Sequence, residues 1–165
     1  QYHWCSNSPH AEYGNSNIDA ILYGADQGHE ASLRQRALGI VHYFHGVNPL
    51  AMVYLSNMYG FGATRSANEI YHTWFAHGTR WSDARTSQCG PPPGYVPGGP
   101  NAQAQASGVP GALRPPAGQP PQKSYLDWNK GTPDSSWAIT EPAIYYQAAY
   151  IRLLSYFVRP DTKAP

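Results

Sequence analysis

Glu30-Ala31-Ser32-Leu33-Arg34-Gln35-Arg36-Ala37-Leu38-Gly39-Ile40-Val41-His42-Tyr43-Phe44-His45 carries the clearest periodicity in this 165-residue chain. Leu33, Ala37, Ile40, Val41 and Phe44 recur at spacings of three and four, which predicts a helix with one apolar face over 30–45. Gly46 and Pro49 end it in a turn. Working outward, Leu50–Met58 reads as a short, mostly buried helix stopped by Gly60 and Gly62, and Asn68–Phe75 as a helical turn. Upstream, residues 1–16 are polar and turn-rich. A helix is expected from Asn17 or Asp19, either of which can cap free amides, to about Ala25. The last helix is placed from about Glu141, with Thr140 as cap and Pro142 in the first turn, and runs about 17 residues or ~25 Å. Ile144, Ala148, Ile151 and Leu154 or Ser155 would form its packed side. No segment shows a convincing strand pattern, so the chain is expected to be all-α with long Pro/Gly-rich loops.

Most of the sixteen prolines fall between Gly90 and Pro121. Gly90-Pro91-Pro92-Pro93-Gly94-Tyr95-Val96-Pro97-Gly98-Gly99-Pro100-Asn101 reads as an ordered loop, whereas Ala102–Pro121 also fits a flexible linker. A net charge of +1 offers no general pull toward nucleic acid or an anionic membrane. No apolar run is long enough to span a bilayer, and the first residues lack a signal peptide's basic start and apolar core, a segment that a mature secreted protein has already lost. Charged residues make up 13%, against about a quarter in ordinary soluble domains. Thirteen tyrosines and five tryptophans outnumber four phenylalanines, so most rings carry a polar handle suited to half-wet grooves or interfaces. Cys5 and Cys89 permit one disulfide or a free buried pair.

Glu141 is the main chemical candidate: a carboxyl where a loop becomes a helix, near Trp128 and Trp137, is placed to give a proton to a leaving oxygen. It also reads as an ordinary first-turn helix residue, whose free amides would favour the charged form. Asp127 is a second carboxylate for paired acid–base work, or a turn residue. Trp74, Tyr125, Trp128 and Trp137 can stack on sugar faces or pack loops onto helices. His42 and His45, three apart, and His72 and His77 lack a recognised metal-ligand pattern, so no metal is expected, and for His72 a hydrogen bond to substrate fits better. No phosphate loop, serine-hydrolase elbow or cofactor motif is present.

Together the segments resemble the catalytic domain of glycoside hydrolase family 9, the inverting cellulases and related β-glucanases. The resemblance is carried in order by Tyr2-His3-Trp4-Cys5-Ser6-Asn7-Ser8, Tyr43-Phe44-His45-Gly46-Val47-Asn48-Pro49-Leu50, Asn68-Glu69-Ile70-Tyr71-His72-Thr73-Trp74-Phe75, Gly94-Tyr95-Val96-Pro97-Gly98-Gly99-Pro100-Asn101 and the Glu141-centred ending. It implies that 1–165 is the C-terminal portion of such a domain, part of an (α/α)6 barrel, with the N-terminal portion absent. It assigns Glu141 the general-acid role, His72 a role in substrate binding, and Tyr125 and Trp128 places in the cleft. The water-activating aspartates belong to a segment earlier than Tyr2. Two departures stand out: Cys5 replaces an expected glycine, and Thr73-Trp74-Phe75 replaces a histidine-arginine cluster, for which Arg80 is the available substitute.

The expected function is hydrolysis of β-1,4-glucosidic bonds in cellulose or related β-glucans, in a secreted or periplasmic enzyme. Expected partners are a β-glucan or cello-oligosaccharide and the remainder of the catalytic domain, whose missing helices would leave an apolar surface exposed. This chain alone is expected to be inactive. The alternatives are a non-catalytic carbohydrate-binding module and a helical interaction fragment with Arg85–Gln122 as an exposed arm.

Overall fold

The computed structural model describes residues 2–72, 77–83, 86–104, 116, 118–131 and 135–158. Its elements are α1 (Asn7–Leu22), α2 (Glu30–Phe44), β1 (Val53–Ser56), β2 (Ser66–Ala67), α3 (Trp137–Thr140) and α4 (Ile144–Ser155). Helix α1 packs against both α2 and α4.

Helix α2 forms where the periodicity places it. Leu33, Ala37, Val41 and Phe44 are buried, and Ile40 is half-buried against the core. After it, Asn48 turns the chain by donating to the Tyr43 and Met52 carbonyls at 2.8 and 2.7 Å and accepting from the Leu50 amide. Helix α1 begins ten residues or more before its expected start. Its buried side is made of Asn7, Ser8, Ala11, Gly14, Asn15 and Ile18, too polar to read as a core face. Close approach explains the choice: a Cβ on Gly14 would lie 2.5 Å from Leu153, and Asn15 donates to the Ala149 carbonyl at 3.0 Å. Pro9 costs nothing there, because the first-turn amides have no helical acceptor.

Leu50–Met58 is not a helix. Val53–Ser56 forms a strand paired in parallel with Ser66–Ala67, a small sheet that departs from the all-α expectation. Gly60 lies inside a short 3-10 helix over Tyr59–Phe61, and only Gly62, at φ 92°, closes it. Asn68–His72 is not helical either, and Thr73–Phe75 lie outside the described residues.

The C-terminal helix is also redrawn. Glu141 is extended at φ −64°, ψ 122°, separating the short α3 from α4. A residue preceding proline is pushed out of the helical region, so Pro142 breaks the helix where a first-turn reading would start it. Thr140 is not a cap: its hydroxyl donates to the Trp128 and Ser136 carbonyls. Tyr146, Ala149, Tyr150 and Leu153 form the packed side of α4. Ile144 and Ile151, assigned to the core by periodicity, are 80% and 61% exposed.

The main core joins Phe44, Tyr54, Leu55, Val96, Tyr125, Ile139, Tyr146 and Tyr150. Three tyrosine hydroxyls in and around it bond locally, Tyr43 to Asn7, Tyr125 to Asp127, and Tyr150 at 2.7 Å from His45 Nε2, whereas the Tyr54 hydroxyl is enclosed without a hydrogen-bond partner. Burial pushes the Tyr150 phenol up to about 12. The 90–101 loop is ordered, with Pro91, Pro92 and Val96–Asn101 buried, so 85–122 is not simply an exposed arm. Ala102–Ala104 is tied back to Tyr2 and Asn101, whereas 105–115 and 117 lie outside the described residues. Cys5 and Cys89 are both free, Cys5 half-buried and Cys89 exposed, so they form neither a disulfide nor a buried pair.

Candidate active site

The Pro/Gly loop and the Glu141 segment hold one another. Pro97 and Pro142 form an isolated antiparallel bridge, and the Gly99 amide donates to the Ile139 carbonyl at 2.9 Å. A Cβ on Gly98 would stand 2.9 Å from that same carbonyl oxygen, so the approach requires glycine. Asn101 donates to the Ala138 carbonyl, and the Gln147 amide both donates to and accepts from the Val96 backbone at 2.9 and 2.8 Å. Asn7 seats the N-terminal motif on the same loop, donating to the Pro97 carbonyl at 3.0 Å.

From the other side, the strap Asp127-Trp128-Asn129 holds the segment leading to His72. Asp127 accepts from the Asn68 and Glu69 amides at 2.9 and 3.2 Å and from the Tyr125 hydroxyl at 3.2 Å. Asn129 donates to the Ile70 carbonyl, and the Tyr71 amide donates to the Thr140 carbonyl. These anchors deliver the imidazole to the acid: His72 Nε2 lies 2.8 Å from Glu141 Oε1. Both side chains are 22% exposed, so the pair is packed yet reachable from solvent. The edge of the Tyr71 ring braces the imidazole at 5.2 Å between centroids.

Burial raises the Asp127 carboxyl above the usual aspartate value, opposed by the Asn68 and Glu69 amide bonds. Glu69 is raised by burial and by the Asp127 charge. Burial also drives the Tyr125 hydroxyl well up, keeping it a neutral donor to Asp127.

Of the residues singled out from sequence, the fold thus brings Glu141 and His72 into contact and sets Asp127 behind them as an anchor. Tyr125 is buried beneath Asp127. Trp128 is half-buried, with its indole Nε1 enclosed and without a hydrogen-bond partner. Trp137 opens α3 at 39% exposure. Trp74 lies outside the described residues. Arg80 sits over the Trp81 ring, 4.3 Å from its centroid. Sequence reasoning passed over Asn129, Gln147, Asn7 and Asn101, although Asn7 and Asn101 lie within motifs already quoted. A buried asparagine that clamps backbone leaves no spacing signal, and Gln147 looks like a surface helix residue.

The sequence model described as glycosyl hydrolase family 9 matches residues 1–154. This chain belongs to glycosyl hydrolase family 9. Among solved structures it is similar to AaCel9A in complex with cellobiose-like isofagomine, at TM-score 0.69 and 22% identity, covering 94% of this chain and 25% of that one. It is also similar to a single mutant of a thermostable endoglucanase from Alicyclobacillus acidocaldarius, at TM-score 0.70 and 21% identity, covering 96% and 26%. A family 9 protein from Bacteroides ovatus gives TM-score 0.63 and 22% identity, covering 93% and 22%. The chain therefore spans about a quarter of the length of these family 9 structures. No curated protein matches it.

Cys5, where the resemblance led to an expectation of glycine, adopts φ 62°, a left-handed conformation that glycine enters freely.

Proposed function

We propose that this chain is the C-terminal portion of a glycoside hydrolase domain that cleaves β-1,4-glucosidic bonds of cellulose or related β-glucans with inversion. The (α/α)6 barrel is completed by helices outside this chain. Glu141 protonates the departing glycosidic oxygen, while an aspartate from outside the chain takes a proton from the attacking water on the opposite face. That base would stand roughly 6.5–9.5 Å from Glu141, leaving room for the water. Trp74, Trp128 and Trp137 supply aromatic surface for the glucan. The enzyme works outside the cytoplasm, where its polymeric substrate is, and this chain alone turns over nothing.

The observation that carries this reading is the placement of Glu141. It stands on an extended residue two positions before Ala143, the N-cap of α4, with its carboxyl partly open and bonded to His72.

Glu141→Gln, made in a polypeptide that includes the aspartate segment, tests it. Turnover of an unactivated cello-oligosaccharide should fall by about 10²–10⁴-fold. A dinitrophenyl cellobioside, whose leaving group needs no proton, should lose far less. Equal rates for variant and parent on both substrates would remove Glu141 from the chemistry.

A further inference from the structure

A carboxylic acid can carry its proton on either oxygen, and only one of the two faces a substrate. In the His72–Glu141 contact Oε1 is taken, at 2.8 Å from Nε2. With hydrogen on Nε2, the imidazole donates to Oε1 and the acid's proton resides on Oε2. With a bare Nε2, Oε1–H would point into the imidazole and away from any sugar. From this geometry we infer that His72, as its Nε2–H tautomer, fixes the transferable proton of Glu141 on Oε2. The inference rests on the general-acid reading of Glu141 given above.

The segment leading to the ring is anchored through its backbone. Asn129 holds the Ile70 carbonyl, the Tyr71 amide is bound to the Thr140 carbonyl, and Asp127 grips the Asn68 and Glu69 amides. The same bond contributes again as the reaction proceeds. The Oε2 proton passes to the leaving oxygen as the C1–O bond breaks, water forms the new C1–O bond, and water's proton goes to the aspartate outside this chain. Glu141 is then a carboxylate, and Nε2–H···Oε1 becomes a charge-assisted bond, about twice as strong as its neutral form. His72 is thereby a positioning residue that binds the product of proton transfer more tightly than the reactant, which is the condition for accelerating that step.

The tests use the complete catalytic domain. Gln places an amide N–H near where Nε2–H stands, does not titrate and offers no basic nitrogen. His72→Gln should keep kcat on cello-oligosaccharide within about tenfold, and His72→Ala should lose about 10²-fold. His72→Ala should barely change kcat on dinitrophenyl cellobioside or KM on either substrate. A loss of equal size for both variants, or a loss expressed in KM with both leaving groups, would make His72 a sugar contact instead. Nitrogen-15 spectra of the histidine-labelled parent, which need no variant to fold, should show Nε2 protonated and Nδ1 bare. The opposite tautomer overturns the proposal outright. Glu141→Gln separates the two readings. If it shows the leaving-group-dependent loss and His72→Ala does not, only the role given to His72 fails. If Glu141→Gln shows no such loss, the acid assignment fails and takes this one with it.

Discussion

Cys5 shows how a single backbone angle is paid for. Its φ of 62° is one of four left-handed values among described non-glycine residues. A Cβ there costs roughly 1–2 kcal/mol. Cys5 recovers part of this by packing on the core, and burial raises its thiol, so it remains a small neutral side chain. Comparing Cys5→Gly with Cys5→Ala isolates the backbone cost, because both remove the sulfur and only alanine keeps a Cβ. Cys5→Gly should be more stable than Cys5→Ala by about 1 kcal/mol in urea unfolding; equal midpoints would show that the angle carries no cost here. At this scale the sequence was half legible. Glu141 stood out by its setting, yet Pro142 suggested a helix start when the same proline dictates an extended Glu141. Both effects belong to proline, and only the contact of Pro142 with Pro97 decides between them.

The elements that carry the site are mostly segments without regular structure, clamped by polar side chains. Helix α2 was readable because apolar residues mark its buried face. Helix α1 was not, since Asn15 and Gly14 are chosen for fit to α4 rather than for apolarity. Val53–Ser56 was ambiguous because a short apolar run fits a buried strand and a buried helix equally. The strap at 127–129 was visible only as chemistry-bearing residues, and its mechanical part appears in the bonds it makes. Asp127→Ala would strip the Asn68 and Glu69 amides of their acceptor and should cost about 2 kcal/mol. It should also lower kcat by loosening His72; unchanged stability and turnover would show that the strap holds nothing. The strap also predicts a pH dependence. Asp127 and Glu69 both have folded-state values above their ordinary ones, 3.8 and 4.5. Between each ordinary value and its raised value the folded chain keeps a proton that the unfolded chain has released. Stability contributed by these groups therefore falls as pH rises through that window. Urea midpoints of Glu69→Gln/Asp127→Asn should lose this decline, and a parent-like slope in the double variant would place its origin elsewhere.

At the scale of the molecule, α4 has apolar residues on two sides, and only one is used. Leu153, Tyr150, Ala149 and Tyr146 face the core, while Ile144, Ala148 and Ile151 share the exposed side. That duplication is why periodicity selected the wrong face: a helix apolar on two sides has no unique stripe. It is also how a helix reads when it is covered from both directions. The chain spans about a quarter of the family 9 structures it resembles, and the proposed barrel would supply the second cover. Ile151, 61% exposed in this chain, gives the measurement. Burying an isoleucine side chain contributes about 1.5–3 kcal/mol, and leaving it in water contributes almost nothing. Ile151→Ser should therefore cost about 2 kcal/mol in the complete catalytic domain, while the 165-residue chain should be nearly indifferent to it or gain solubility. Equal and negligible effects in both would mean that no further helix reaches this face, and the barrel proposed for the whole protein would have to close elsewhere.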